Sequence, residues 1–112
     1  MKIAQVTEDA IIFDNGNKIT FDHCQDCCEW NYADFSVLTP DVIGYDHDFD
    51  PNLKFKWDGQ GGNTSAGFVF GDKEQKIFIP CYSEQNGYYT NELEIYYNDK
   101  LVAEGDCEEI YV

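Results

Sequence analysis

Residues 22–30, Asp-His-Cys-Gln-Asp-Cys-Cys-Glu-Trp, carry the densest chemistry in this chain: three cysteines, one histidine and three acidic side chains in nine positions. Thiolate, imidazole and carboxylate are all zinc ligands. His23, Cys24, Cys27, Cys28 and the distant Cys81 are competent donors, and His23 and Cys27 would share one face of a helix. A structural zinc site normally draws a second ligand pair at short spacing. The later candidates Cys81, Cys107 and His47 supply no such pair. Adjacent Cys27 and Cys28 also diverge in either helix or strand, so both rarely bind one ion. Metal binding through His23, Cys27 and Cys81 therefore ranks below a structural role.

Nucleophilic catalysis is the other chemistry these residues permit. A reactive cysteine needs its thiolate stabilised by a cation or a helix N-terminus. Cys27 and Cys28 would gain from a helix dipole, with His23 as base. Asp22, Asp26 and Glu29 oppose this, because surrounding negative charge raises a thiol pKa. The Cys-Gln-Asp-Cys spacing also lacks the βαβ context of a thioredoxin-like motif. The leading expectation is structural: Cys27 and Cys28 act as small buried hydrophobes while Asp26 and Glu29 cap a turn. His23 would then hydrogen-bond to backbone or to a carboxylate.

A second unusual stretch runs Pro-Cys-Tyr-Ser-Glu-Gln-Asn-Gly-Tyr-Tyr-Thr over residues 80–90. Asn86-Gly87 marks a tight turn, and Tyr82, Tyr88 and Tyr89 beside it could form an aromatic recognition surface. Ordinary strand alternation, with one tyrosine of a pair inward and the next outward, is the simpler reading.

Taken together, the two stretches resemble a family of small uncharacterised domains from bacteria and their phages. Its members carry a His-x-Gln-Asp-Cys-Cys-Glu motif early and an Asn-Gly-Tyr-Tyr-Ser/Thr motif late. Here these are His23 with Gln25–Glu29, and Asn86–Thr90, and the resemblance covers residues 10–97. Cys24 falls at a variable position of the first motif. The resemblance implies a shared β-rich domain and lends no activity. It also implies that the two motifs meet in space. His23, Asp26, Cys27, Cys28 and Glu29 would then face Asn86, Tyr88 and Tyr89 across a common binding site.

The elements that must position these motifs read mainly as strands. Lys2–Val6, Ala10–Phe13, Lys18–Phe21, Leu53–Trp57, Ala66–Phe70, Lys76–Tyr82, Glu92–Tyr97 and Leu101–Glu104 are short β-branched or aromatic runs, with a possible edge strand at Cys107–Val112. Asn15-Gly16 supplies the positive φ of a hairpin joining the second and third runs, and Asn98-Asp99 turns the chain again. Asp26–Glu29 fits a helix start, and Tyr32, Phe35 and Leu38 follow at helical spacing until Pro40. The low helix propensity of Trp30-Asn31-Tyr32 keeps that helix short. The fold class is mainly β, an antiparallel sheet forming a small barrel or sandwich with one short helix after His23. Residues 1–112 make one domain.

Asp46-His-Asp-Phe-Asp-Pro-Asn52 places oxygen donors at alternate positions, like the first half of a calcium loop. Pro51 stands where the turn glycine belongs and Trp57 where the bidentate glutamate belongs, so the stretch reads as a solvated acidic loop.

Composition narrows the function. Seven basic against 22 acidic residues give a net charge of −15, which repels phosphate and anionic lipid alike. Hydrophobic residues at 43% and aromatics at 16% supply a real core. No signal peptide or spanning segment is visible, and five cysteines, an odd number with two adjacent, suit a reducing cytoplasm. No motif calls for a cofactor. The expectation is a small cytoplasmic, non-enzymatic binding protein, bacterial or phage-encoded, whose partner is a protein or small molecule. Direct nucleic-acid and membrane binding are disfavoured. The alternatives are a metal-binding or cysteine-dependent enzyme using His23 and Cys27 or Cys28, and an acidic inhibitor that mimics nucleic acid.

Overall fold

A computed structural model describes residues 1–22, 30–42, 44–58, 66–85 and 92–111. The strands run β1 (Ile3–Val6), β2 (Ala10–Phe13), β3 (Lys18–Asp22), β4 (Trp30–Ala33), β5 (Lys54–Asp58), β6 (Gly67–Gly71), β7 (Lys76–Gln85), β8 (Glu92–Tyr97), β9 (Lys100–Asp106) and β10 (Glu108–Tyr111). They form two sheets. One has the order β1-β2-β3-β8-β9, wholly antiparallel. The other has the order β10-β7-β6-β5, with β4 also paired to β7. Every pairing is antiparallel except β10 on β7. The sheets face one another as a sandwich, which decides between the two architectures the strand pattern allows.

Local chemistry accounts for the turns. Gly16 sits at φ +91°, and the Phe13 amide donates to Asn17 O at 2.8 Å to close the β2–β3 hairpin. Asn98 and Asp99 take φ values of +51° and +66°, the pair of left-handed residues a two-residue hairpin between β8 and β9 requires.

Alternation accounts for the core. Ile11, Phe13, Ile19, Leu93 and Ile95 project inward from the first sheet, and Phe68, Phe70, Ile77, Ile79 and Cys81 from the second. Each large side chain removed from water this way contributes about 1.5–3 kcal/mol. Phe13, Phe49 and Phe70 meet edge-on or tilted, with centroids 5.9–6.4 Å apart, and join the two layers. On the opposite flank the Trp57 ring of β5 covers Gly105 of β9 so closely that a Cβ there would lie 2.3 Å from the indole.

The helix expected through Tyr32, Phe35 and Leu38 is not formed. Trp30–Ala33 is a strand on β7, and only a single 3-10 turn follows at Phe35–Val37, capped by the Asp34 carboxylate on the Ser36 amide. Period-two burial outweighs the helical spacing: Asn31 and Ala33 turn inward, Tyr32 lies between them partly exposed, and the 3-10 turn then delivers Phe35 and Leu38 to the core. The expected helix start, Asp26–Glu29, lies outside the described residues. Among those described, no helix is long and apolar enough to cross a membrane.

Candidate binding end of the sandwich

The motif residues His23, Asp26, Cys27, Cys28 and Glu29, and Asn86, Tyr88 and Tyr89, all lie outside the described residues. The strands that deliver them do not. Residues 23–29 connect β3 of the first sheet to β4 of the second, and residues 86–91 connect β7 of the second back to β8 of the first. Register brings the strand ends together in pairs, Asp22 with Glu94 in one sheet and Trp30 with Glu84 in the other, and the hydrogen bond from Asn31 to the Glu92 carbonyl joins the two pairs. Both motif-bearing connections therefore cross between the sheets at one end of the sandwich.

A buried polar tie holds that end closed. Asn31 and Ser83 are paired residues of β4 and β7, and both are essentially inaccessible, at 1% and 0% exposure. The Ser83 hydroxyl donates to the Asn31 side-chain oxygen, and Asn31 Nδ2 donates to the Glu92 carbonyl at 3.1 Å. The last bond links the second sheet to the first residue of β8. Ser83 continues the inward row Ile77, Ile79, Cys81, so a polar residue in an apolar alternating row was the signal the sequence offered for this tie.

Beside the same end opens a cleft of about 470 Å³, between the Thr7–Asp9 turn, the end of β3 and the residues following β4. Val6, Phe21, Ala33, Phe35 and Leu38 form its apolar walls, with Phe21 and Phe35 in edge-on contact at 5.6 Å. The charged residues lining it are all acidic: Glu8, Asp9 and Asp34. Asp34 is held in place by the Ser36 amide and hydroxyl. At its edge the Tyr32 and Tyr82 rings sit 5.9 Å apart. Burial, then the negative charge of Glu84 and Asp34, pushes the Tyr32 phenol upward; burial, then Asp34 and Glu108, does the same for Tyr82. Both phenols therefore stay protonated. The cleft suits a ligand with an apolar body and a positive end.

Cys81, the one described member of the expected metal set, is fully buried on β7 opposite Ala33. Its thiol donates to the Ile79 carbonyl at 3.7 Å, and burial, reinforced by the neighbouring Cys107 sulfur, drives its pKa far up. A thiol in that state is neither a ready ligand nor a nucleophile. Among the described residues no group of three His, Cys, Asp or Glu side chains is arranged to hold a metal ion.

The acidic loop at 46–52 is tied down by separate contacts. Asp48 accepts from the Met1 ammonium, which holds its carboxyl below the usual range. Asp50 accepts from the Asn52 amide at 2.8 Å, and His47 Nε2 lies 3.0 Å from Asp72 Oδ2. Asp72 also takes the amides of Glu74 and Gln75 at 2.9 Å and of Asp50 at 3.2 Å. Burial alone would raise the Asp72 carboxyl; these donors outweigh it and hold the group well below the ordinary carboxylate range.

A family model described as a domain of unknown function, DUF7448, matches residues 1–95. The match spans both motif-bearing connections and stops within β8, ahead of β9 and β10. No curated protein and no solved structure matches the chain.

Proposed function

The chain belongs to the DUF7448 family, and on that premise we propose that it is a non-enzymatic binding module whose ligand surface is the end of the sandwich formed by residues 23–29 and 86–91. One observation carries the reading: both connections leave and re-enter the sheets at the same place, anchored by the Asp22–Glu94 and Trp30–Glu84 pairs and by the Asn31 bond to Glu92. That the strand ends flanking two uncommon motifs lie at one edge supports a shared surface. The adjoining acidic cleft favours a partner that presents lysine or arginine beside apolar groups. An inhibitor that enters a basic protein's nucleic-acid groove is one form of this proposal, as is a bacterial or phage source. Binding of that kind weakens steeply with salt.

Amide-resolved NMR titration with a short lysine- and leucine-containing peptide tests the reading. Saturable shifts centred on residues 23–29 and 86–91 and on the flanking Asp22, Asn31, Asp34, Glu84 and Glu92 support it. Shifts centred elsewhere refute it. So does rapid alkylation of Cys27 or Cys28 in the folded protein at neutral pH, which would mark a reactive nucleophile.

A further inference from the structure

The seven cations of this chain are all lysines, against 22 acidic residues. Four of the seven, Lys54, Lys56, Lys73 and Lys76, line a single cleft of about 460 Å³. They come from sequence positions about twenty residues apart, joined by register. Gly71 of β6 pairs with Lys54 of β5 on one side and with Lys76 of β7 on the other, and Lys56 pairs with Val69 in the next row. Lys73 arrives from the β6–β7 turn. All four are exposed, and among the described residues none takes part in an ion pair.

That clustering runs against the chain's composition. With three carboxylates for every lysine, scattered lysines would find opposite charges, and four gathered together repel one another. Lysines on an edge strand are a common guard against sheet aggregation, which accounts for Lys54 and Lys56 on β5. It does not account for Lys73 in a turn or Lys76 on an inner strand. Asp58 and Asp72 also line the cleft, but Asp72 is already satisfied by His47 and three backbone amides. Val69 and Phe55 provide an apolar wall.

We propose that this cleft is a binding site for a compact phosphate-bearing ligand with two or more phosphate charges. Lysines meet phosphate as point charges, and several around one cleft are needed to hold a dianion or larger. The size of the ligand follows from the surrounding field. A long polyanion leaving the cleft would meet the acidity of the rest of the surface, whereas a ligand contained within about one Debye length, roughly 8–10 Å, feels mainly the lysines. The site is separate from the motif end: Lys76 begins β7 and Gln85 ends it, roughly 30 Å along the strand.

The test is amide-resolved NMR titration of the intact chain with pyrophosphate at about 0.1 M ionic strength, where the Debye length is roughly 10 Å. The expected result is saturable shifts at residues 54–56, 69–71 and 73–76, with Asn31, Ser83 and Glu92 unmoved. Lys73→Gln with Lys76→Gln, and separately Lys54→Gln with Lys56→Gln, should each weaken binding by roughly tenfold. Lys18→Gln with Lys100→Gln changes net charge equally and should leave affinity intact. Equal losses from the control pair and the cleft pairs would overturn the proposal, as would no saturation at millimolar pyrophosphate. Displacement of pyrophosphate by a tetraglutamate peptide or a short single-stranded oligonucleotide at lower concentration would also overturn it, in favour of an acidic segment or a nucleic acid. Thermal melts of the variants show whether they remain folded.

Discussion

Replacing Asn31 by alanine probes the structure where the two motifs converge. Asn31 is 1% exposed and bonded to both Ser83 and Glu92. Its loss strips a partner from a buried hydroxyl and from a carbonyl, each worth about 1–3 kcal/mol when left unmet. Ser83 and Glu92 each have a further interaction elsewhere in the residue or at the same group, so the two costs are not added in full. The expected destabilisation is about 2–3 kcal/mol, a large part of the ~6–15 kcal/mol typical of a domain this size. Urea unfolding should show a lower midpoint at unchanged m. A double-mutant cycle sharpens the test. Ser83→Ala in the Asn31→Ala background removes the orphaned hydroxyl, so the double variant should lose about 1 kcal/mol less than the two single losses added together. Strict additivity, or a single-variant cost below about 0.5 kcal/mol, would show that the tie contributes little and that the motif end is held by other contacts.

Three further perturbations read other parts of the molecule. The depressed Asp72 carboxyl stabilises the fold fully above the unfolded carboxyl value of about 3.9 and progressively less as pH falls below it. Asp72→Asn should therefore lower Tm at pH 7, and in acid melts the deficit should shrink only gradually below about pH 3.9, with most of it still present at about pH 3. Gly105→Ala forces a methyl group into the Trp57 ring and should cost about 1–3 kcal/mol, a fall in Tm of roughly 4–12 °C, with reduced Trp57 burial in fluorescence. Cys81 should resist alkylation in native protein and react on unfolding, as followed by peptide mass spectrometry; native labelling at the rate of a free thiol would contradict its burial.

Asn15-Gly16 and Asn98-Asp99 were legible because a tight turn is decided by the φ preferences of the residues inside it. The strands were legible for a similar reason, since inward and outward positions alternate along each run whatever it later pairs with. Residues 30–38 were misread where two periods overlapped. Tyr32, Phe35 and Leu38 satisfy a helical spacing, but pairing with β7 and burial of Asn31 and Ala33 settled the chain as strand and 3-10 turn.

What the sequence determined by itself was therefore local and compositional: short strands, their turns, the acidity, and two uncommon motifs. Only the tertiary structure decided that both motif connections cross the sheets at one end, and that four lysines of an acidic chain share one cleft. The physical reason is that strand order and register are set by which apolar faces can be buried against each other. Those faces belong to segments that can lie more than fifty residues apart, as Asn31 and Ser83 do, and no nearby residue records which of them will meet.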